Sequence, residues 1–204
     1  MKRGSLIVFE GVDGSGKSTQ LAKLAETMRS AGREVVETGE PYDCEWGRKI
    51  RAMARSGHAV APEQELEWFL EQRRVHVRDL VGPSLAAGRT VLSDRYFLST
   101  VAYQGARGLD AERLLAESEA EFPIPDLVLL LELDAEKGLR RVSERGGTRE
   151  PVFEQQAFLE RVAANFRGLD RDYIAHIAAA GEIAEVHERV LTELHRRLAL
   201  NSSS

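Results

Sequence analysis

Gly11-Val12-Asp13-Gly14-Ser15-Gly16-Lys17-Ser18 decides how the rest of this sequence is read. It has the form G-x-x-x-x-G-K-[ST] and directly follows a short apolar run, Leu6-Ile7-Val8-Phe9, bounded by charge and glycine as a buried parallel strand is. After it, Leu21, Leu24, Ala25 and Met28 fall at i, i+3, i+4 and i+7, which predicts a helix over residues 17–31 ending at Gly32. Strand, glycine-rich turn and helix are the context such a loop needs to cradle phosphates. The glycines let backbone N–H groups turn inward around phosphate oxygens. The helix start adds the positive end of its dipole. Lys17 reaches the outer phosphates, and Ser18 offers a hydroxyl to Mg²⁺. The competing explanation is a chance match, which at ~7% glycine arises in about one chain in a hundred of this size.

Working outward, residues 34–38 read as a second strand, and 45–55 and 62–87 as helices, with Pro62 suited to a first turn. Gly88 is a stop. Residues 90–93 form a third predicted strand and 127–133 a fourth, and 135–145 and 154–173 are further helices. A fifth strand is placed in 176–180, an alanine-rich stretch poor in β-branched residues. Residues 183–200 read as a last helix and 201–204 as a frayed tail. Alternation of this kind implies an α/β fold, a parallel sheet with helices on both faces.

Composition narrows the function classes. The chain has 204 residues, 43% hydrophobic and 30% charged, with a formal net charge of −5. That suits a packed domain and argues against a general nucleic-acid binder, which would carry a basic face. The lone cysteine, Cys44, forms no internal disulfide and reads as a passive residue, which fits a reducing, cytoplasmic setting. The apolar run after Met1-Lys2-Arg3 stops at Glu10, too short for a signal peptide, and the run over 127–131 is far short of the ~20 residues of a membrane span. The expectation is a soluble protein with no membrane partner. GTPases share the phosphate loop but read guanine with N-K-x-D. Here neither asparagine, Asn165 or Asn201, precedes a lysine, which sets that reading aside and leaves ATP. Gly11, Val12, Asp13, Gly14, Ser15, Gly16, Lys17, Ser18 and Thr19 are the expected ATP contacts.

The second informative stretch is Asp94-Arg95-Tyr96-Phe97-Leu98-Ser99-Thr100-Val101-Ala102-Tyr103-Gln104-Gly105, right after the third strand. Asp94 lies at a strand end, where such sheets present their ligand crevice, and its carboxylate suits Mg²⁺ held through water. Arg95 is able to grip a phosphate with two parallel hydrogen bonds. In isolation, an Asp-Arg pair reads equally well as a surface ion pair.

This stretch resembles the D-R-Y-x-x-S-x-x-A-Y-Q-G signature of thymidylate kinases. Phe69-Leu70-Glu71-Gln72-Arg73-Arg74-Val75-His76 is similar to that family's F-x-x-x-R-x-x-H helix, and Pro125-Asp126-Leu127 to the P-D-L at its fourth strand. Phe153-Glu154 and Phe158-Leu159-Glu160-Arg161-Val162 resemble the helix after its lid. The likeness runs in one order from about Leu6 to Phe166. It implies a P-loop three-layer α/β/α sandwich with a mainly parallel five-stranded sheet, a single kinase domain over 1–204 with a lid at approximately 145–153, and a homodimer. It implies phosphorylation of thymidine monophosphate by ATP with Mg²⁺.

The resemblance also assigns roles. Phe69 stacks on thymine, where core packing is the plainer explanation taken alone. Arg73, on the same helix face, donates to a thymine carbonyl. Arg95 binds the acceptor phosphate, Thr100 and Gln104 meet the base edge, and Tyr103 packs under the sugar and disfavours a ribose 2′-hydroxyl. Tyr96 is structural. Asp13, otherwise a turn residue, contacts the acceptor's 3′-hydroxyl. One branch of the family has an arginine where Gly14 stands, and the other carries it on the lid. Arg145 and Arg149, flanking Gly146-Gly147, resemble the second, bacterial-type branch, with Arg149 the preferred catalytic arginine; the alternative is a solvated loop. Arg141 contacts adenine or is solvated.

One departure stands out. The family usually carries T-R-E-P-G-G-T after its second strand, and this chain has Thr38-Gly39-Glu40-Pro41-Tyr42-Asp43-Cys44. Either Arg48, Arg51 or Arg74 replaces the missing charge, or the acceptor differs. The competing functions are a kinase for another pyrimidine monophosphate and a non-catalytic ATP-binding protein.

Overall fold

The alternation of apolar runs and helical periodicity folds as it implies. The computed structural model describes residues 3–57, 60–144 and 153–198. Five parallel strands, β1 (Leu6–Glu10), β2 (Val35–Gly39), β3 (Thr90–Asp94), β4 (Leu127–Glu132) and β5 (Ile174–Ala178), lie in the order β2-β3-β1-β4-β5. β1 is central and wholly buried, which is why it is apolar on both faces. Its residues alternate between two cores. Leu6 and Val8 join Val128, Leu130 and Val91 on one face of the sheet. They pack there under α5 (Phe97–Ala106) and α8 (Phe153–Arg167), through Phe97, Val101, Val162 and Phe166. Ile7 and Phe9 join Leu129, Leu131 and Leu92 on the other face. That face is covered by α1 (Lys17–Ser30) and α9 (Ile183–Leu198), through Leu21, Leu24, Val186 and Val190. The result is a three-layer α/β/α sandwich. No described helix is long and apolar enough to cross a membrane.

Three predicted boundaries move, each for a physical reason. The helix expected over 62–87 divides into α3 (Pro62–His76), a π-helical turn at Val77–Val81 and α4 (Gly82–Ala86). Pro83 has no N–H for the carbonyl four residues back, and the chain widens to a bond from Gly82 N–H to Val77 O. The helix expected to run to residue 173 stops at Arg167, before Gly168. β5 starts at Ile174, earlier than placed, and as an edge strand it buries Ile174, Ala175 and Ile177 while His176 and Ala178 face out. The remaining helices are α2 (Glu45–Ser56), α6 (Ala111–Glu121), whose first turn is capped by Asp110 accepting from Arg113 N–H at 3.0 Å, and α7 (Ala135–Glu144).

Register places the site. Phe9 lies opposite Asp94 on β3, and Gly39 on β2 lies opposite the same Asp94. The loops leaving β1, β2 and β3 therefore emerge side by side at the carboxyl edge of the sheet, where open α/β folds bind ligands.

Candidate active site

The loop after β1 turns on glycines. Gly11, Gly14 and Gly16 have φ of 134°, 80° and 101°, a region other residues enter only with strain. Gly14 has a second constraint. A Cβ there would lie 2.2 Å from the carbonyl oxygen of Gly138 in α7, and one on Gly138 would lie 2.5 Å from Asp13 O. Loop and helix meet backbone to backbone, leaving no room for an arginine at position 14.

Lys17 is buried and its Nζ donates to Val12 O at 2.9 Å. Burial, then the nearby Arg95 charge, pushes its ammonium down to about 8, against the opposing pull of Asp13, Asp94 and Glu10. Such a cation gains strongly from an anionic phosphate. Ser18 Oγ donates to Asp94 Oδ2 at 2.5 Å. A hydroxyl beside a carboxylate is a hard-oxygen pair that fits Mg²⁺. Among the described residues no group of three or more His, Cys, Asp or Glu side chains is gathered for a metal. Ser18, Lys17, Asp94 and Arg95 line one cavity of about 340 Å³. A neighbouring one of about 330 Å³ lies between Ser15, Thr19, Arg141, Gly181 and Ile183. Arg141 Nη1 donates to Gly14 O at 3.4 Å, so it stands at the loop. Gly181 and Ile183 carry no motif, and only the fold brings them here.

On the acceptor side a cavity of about 270 Å³ is lined by Asp13, Phe69, Arg95, Thr100, Tyr103 and Gln104, among others. Six predicted residues from the phosphate loop, α3, the β3 end and α5 thus meet. Arg95 has φ 73°, the only non-glycine residue at positive φ among those described. Its N–H donates to Phe9 O at 2.9 Å, and Ser93 Oγ donates to its carbonyl at 2.7 Å. Its Nη2 donates to Asp13 Oδ1 at 2.5 Å, and its guanidinium lies 5.3 Å over the Tyr103 ring. Burial works to raise the Asp13 carboxyl, but the Arg95 and Lys17 charges outweigh it and hold it below its ordinary value. Asp13 is therefore an anion that only accepts hydrogen bonds. Tyr103 is fixed edge-on between Phe158 and Phe166.

Arg73 stands behind this wall, not on it. It is fully buried, with Nε 3.1 and 3.0 Å from the two Glu40 carboxylate oxygens and Nη2 2.5 Å from Oε2. The same Nη2 donates to Thr100 Oγ1 at 2.8 Å. Burial would raise the Glu40 carboxyl, but the Arg73 charge overrides it and, with His76, holds it below its ordinary value. His76 continues the chain, Nδ1 to Glu40 at 3.2 Å and Nε2 to Thr38 Oγ1 at 2.8 Å, with Tyr42 stacked on its ring at 4.6 Å. Among the described residues four buried atoms around this cavity lack hydrogen-bond partners: the donor Arg73 Nη1, the acceptor Gln104 Oε1, Tyr96 OH, whose ring lies against the Arg73 guanidinium, and Glu65 Oε2, which is ion-paired with Arg107.

The departure at Gly39 falls at a close approach of two strands. A Cβ there would lie 2.9 Å from the backbone carbonyl oxygen of Asp94 and 3.3 Å from its Cβ, so a side chain at this position needs β2 or β3 to shift. Of the three replacements considered, Arg74 is turned to Glu71 and Glu121, and Arg48 is exposed beside Asp43. Arg51 donates to Pro41 O at 2.7 Å and Asp43 Oδ1 at 2.8 Å, next to a wall of the acceptor cavity. Arg145 and Arg149 lie outside the described residues.

A family profile described as thymidylate kinase matches residues 9–190. A thymidylate kinase of Desulfotalea psychrophila is 42% identical over 197 residues, covering 97% of each chain. One from Akkermansia muciniphila is 40% identical over 196 residues, covering 96% of this chain and 94% of its own. One from Xanthomonas campestris pv. campestris is 40% identical over 204 residues, covering 98% of this chain and 88% of the other. On a match of this extent, through both the phosphate loop and the acceptor segment, the chain belongs to the thymidylate kinase family.

Proposed function

We propose that this enzyme transfers the terminal phosphoryl group of ATP, in the presence of Mg²⁺, to the phosphate of thymidine monophosphate. The observation that carries the acceptor's base class, a pyrimidine with a carbonyl at position 4, is the pair of orphaned atoms, Gln104 Oε1 on a residue of the cavity wall and Arg73 Nη1 behind Thr100. Thymine offers a carbonyl at position 4 and an N–H at position 3, one acceptor and one donor, and satisfies both; uracil offers the same pair, and the choice of thymine over uracil rests on the family. Cytosine offers the reverse at those positions and would leave each protein group unpaired, which is costly in a buried site.

The roles divide by chemistry. Phe69 stacks on the base, Thr100 and Gln104 meet its edge, and Tyr103 lies under the sugar. Asp13 accepts from the 3′-hydroxyl. Arg95 holds the acceptor phosphate, from which one oxygen attacks the terminal phosphorus of ATP as its bond to ADP breaks. Lys17 and the phosphate-loop N–H groups hold the charge that develops there, with Arg149 or Arg145 of the lid supplying the rest. Ser18, and Asp94 through water, would hold Mg²⁺, which when bound neutralises the phosphate oxygens. Arg141 lies on the adenine side. The chain acts as one kinase domain with a lid at approximately 145–153, in the cytoplasm and as a homodimer, the last on family resemblance.

The test is ADP release with a panel of nucleoside monophosphates. Turnover is expected with thymidine monophosphate above all others. Release of no ADP with any member would overturn the kinase reading, and faster turnover with cytidine or uridine monophosphate would overturn the acceptor.

A further inference from the structure

Glu10 is the last residue of β1, directly before the phosphate loop, and is completely buried. Its Oε1 accepts from Tyr96 N–H at 2.8 Å and Ser99 N–H at 3.0 Å. Both amides lie at the start of α5, where N–H groups have no partner within the helix, so a carboxylate from another strand caps this helix. Its Oε2 accepts from Ser99 Oγ at 2.5 Å. Ser99 Oγ in turn accepts from Arg95 Nη1 at 2.8 Å. A serine hydroxyl has one proton, and with that proton given to Glu10 its lone pair faces Arg95. The chain of donors therefore runs in one direction, from Arg95 through Ser99 to Glu10. The other end of the guanidinium is tied to Asp13, leaving Arg95 clamped at both ends above a backbone at φ 73°.

We propose that Glu10, acting through Ser99, is a positioning residue that sets the Arg95 guanidinium for the acceptor phosphate. No guanidinium or ammonium contacts the Glu10 carboxylate among the described hydrogen bonds and ion pairs, and burying a carboxylate this way costs stability. Burial pushes its carboxyl up to about 7, against the hydrogen bonds and the Arg95 charge. An apolar residue at the end of β1 would leave the buried Tyr96 and Ser99 N–H groups unpaired, so one carboxylate oxygen serves the helix and the other, on Ser99 Oγ, is the one linked to Arg95. Lys17, Asp13 and Asp94 complete the charged surroundings of the same guanidinium.

The inference rests on reading Arg95 as the ligand of the acceptor phosphate. Glu10→Gln keeps an acceptor for the two α5 amides and turns the atom facing Ser99 into a donor. It is expected to raise KM for thymidine monophosphate about tenfold and leave KM for ATP within about twofold. Ser99→Ala is expected to act in the same direction, and the double variant to do no more than the stronger single one. An unchanged acceptor KM, a parallel rise in both KM values, or multiplying effects in the double variant would overturn the proposal. If Glu10→Gln fails to fold, an unchanged acceptor KM in Ser99→Ala alone overturns it. Arg95→Ala separates the two readings, because an unchanged acceptor KM there would overturn the role of Arg95 itself.

Discussion

Lys17 shows how much of the chemistry rests on single buried charges. Burial and the Arg95 charge hold its ammonium at about 8 in the free protein. ATP affinity, measured by calorimetry, is expected to be flat below that pH and to weaken as pH rises through it, where the lysine loses its proton. Lys17→Ala should remove this dependence and lower turnover by about three orders of magnitude, because the lost charge is matched to the transition state. Glu40 has the opposite sign. Its folded pKa lies below the unfolded value of 4.5, so its contribution to stability is complete above that value and disappears as pH falls through the folded pKa. Arg73→Ala, which strands the Glu40 carboxylate, should cost about 3–5 kcal/mol in denaturant unfolding, and Glu40→Gln should flatten the acid limb. At this scale the sequence points to residue types more readily than to their partners. Phe69 and Arg73 share a helix face, and only the resemblance to the thymidylate kinase helix singles them out. Glu40 is far away in sequence, and nothing local shows that it holds Arg73 behind the cavity wall.

Among the elements, the contact of Gly14 with Gly138 is the most informative. It fixes α7 against the phosphate loop with no side chain between them. Gly138→Ala places a methyl group against Asp13 O and must move the loop or the helix. A loss of about tenfold in kcat/KM for ATP and a fall of several degrees in Tm are expected. Unchanged values for both would show that the contact positions nothing. The strand, turn and helix around residues 6–30 were legible because their signals are local. The break at residues 77–81 follows from Pro83, a local signal outweighed by the apolar periodicity around it. β5 was misplaced because its hydrogen bonds come from β4 and its cover from α9, so alanines suffice on an edge strand.

Over the whole molecule, sheet order converts three separate motifs into one site. Pairing of β1 and β2 with β3 brings the phosphate loop, Asp94 and the Glu40 segment to one edge, and α3 and α5 close the acceptor cavity from the side. Alternating strands and helices imply the sandwich, but they do not say which strand is central. That follows from burial on both faces, which β1 and β4 share in sequence. The close approach of Gly39 to Asp94 likewise needs both strands in place, so the sequence shows the missing arginine but not the contact around it. If this assembled site reads thymine through Arg73 and Gln104, its selectivity is the quantity to measure. The ratio of kcat/KM for thymidine monophosphate to that for deoxycytidine monophosphate is predicted to be about a thousand or more, since the wrong base leaves two buried polar groups unpaired. A ratio near or below one would contradict the account.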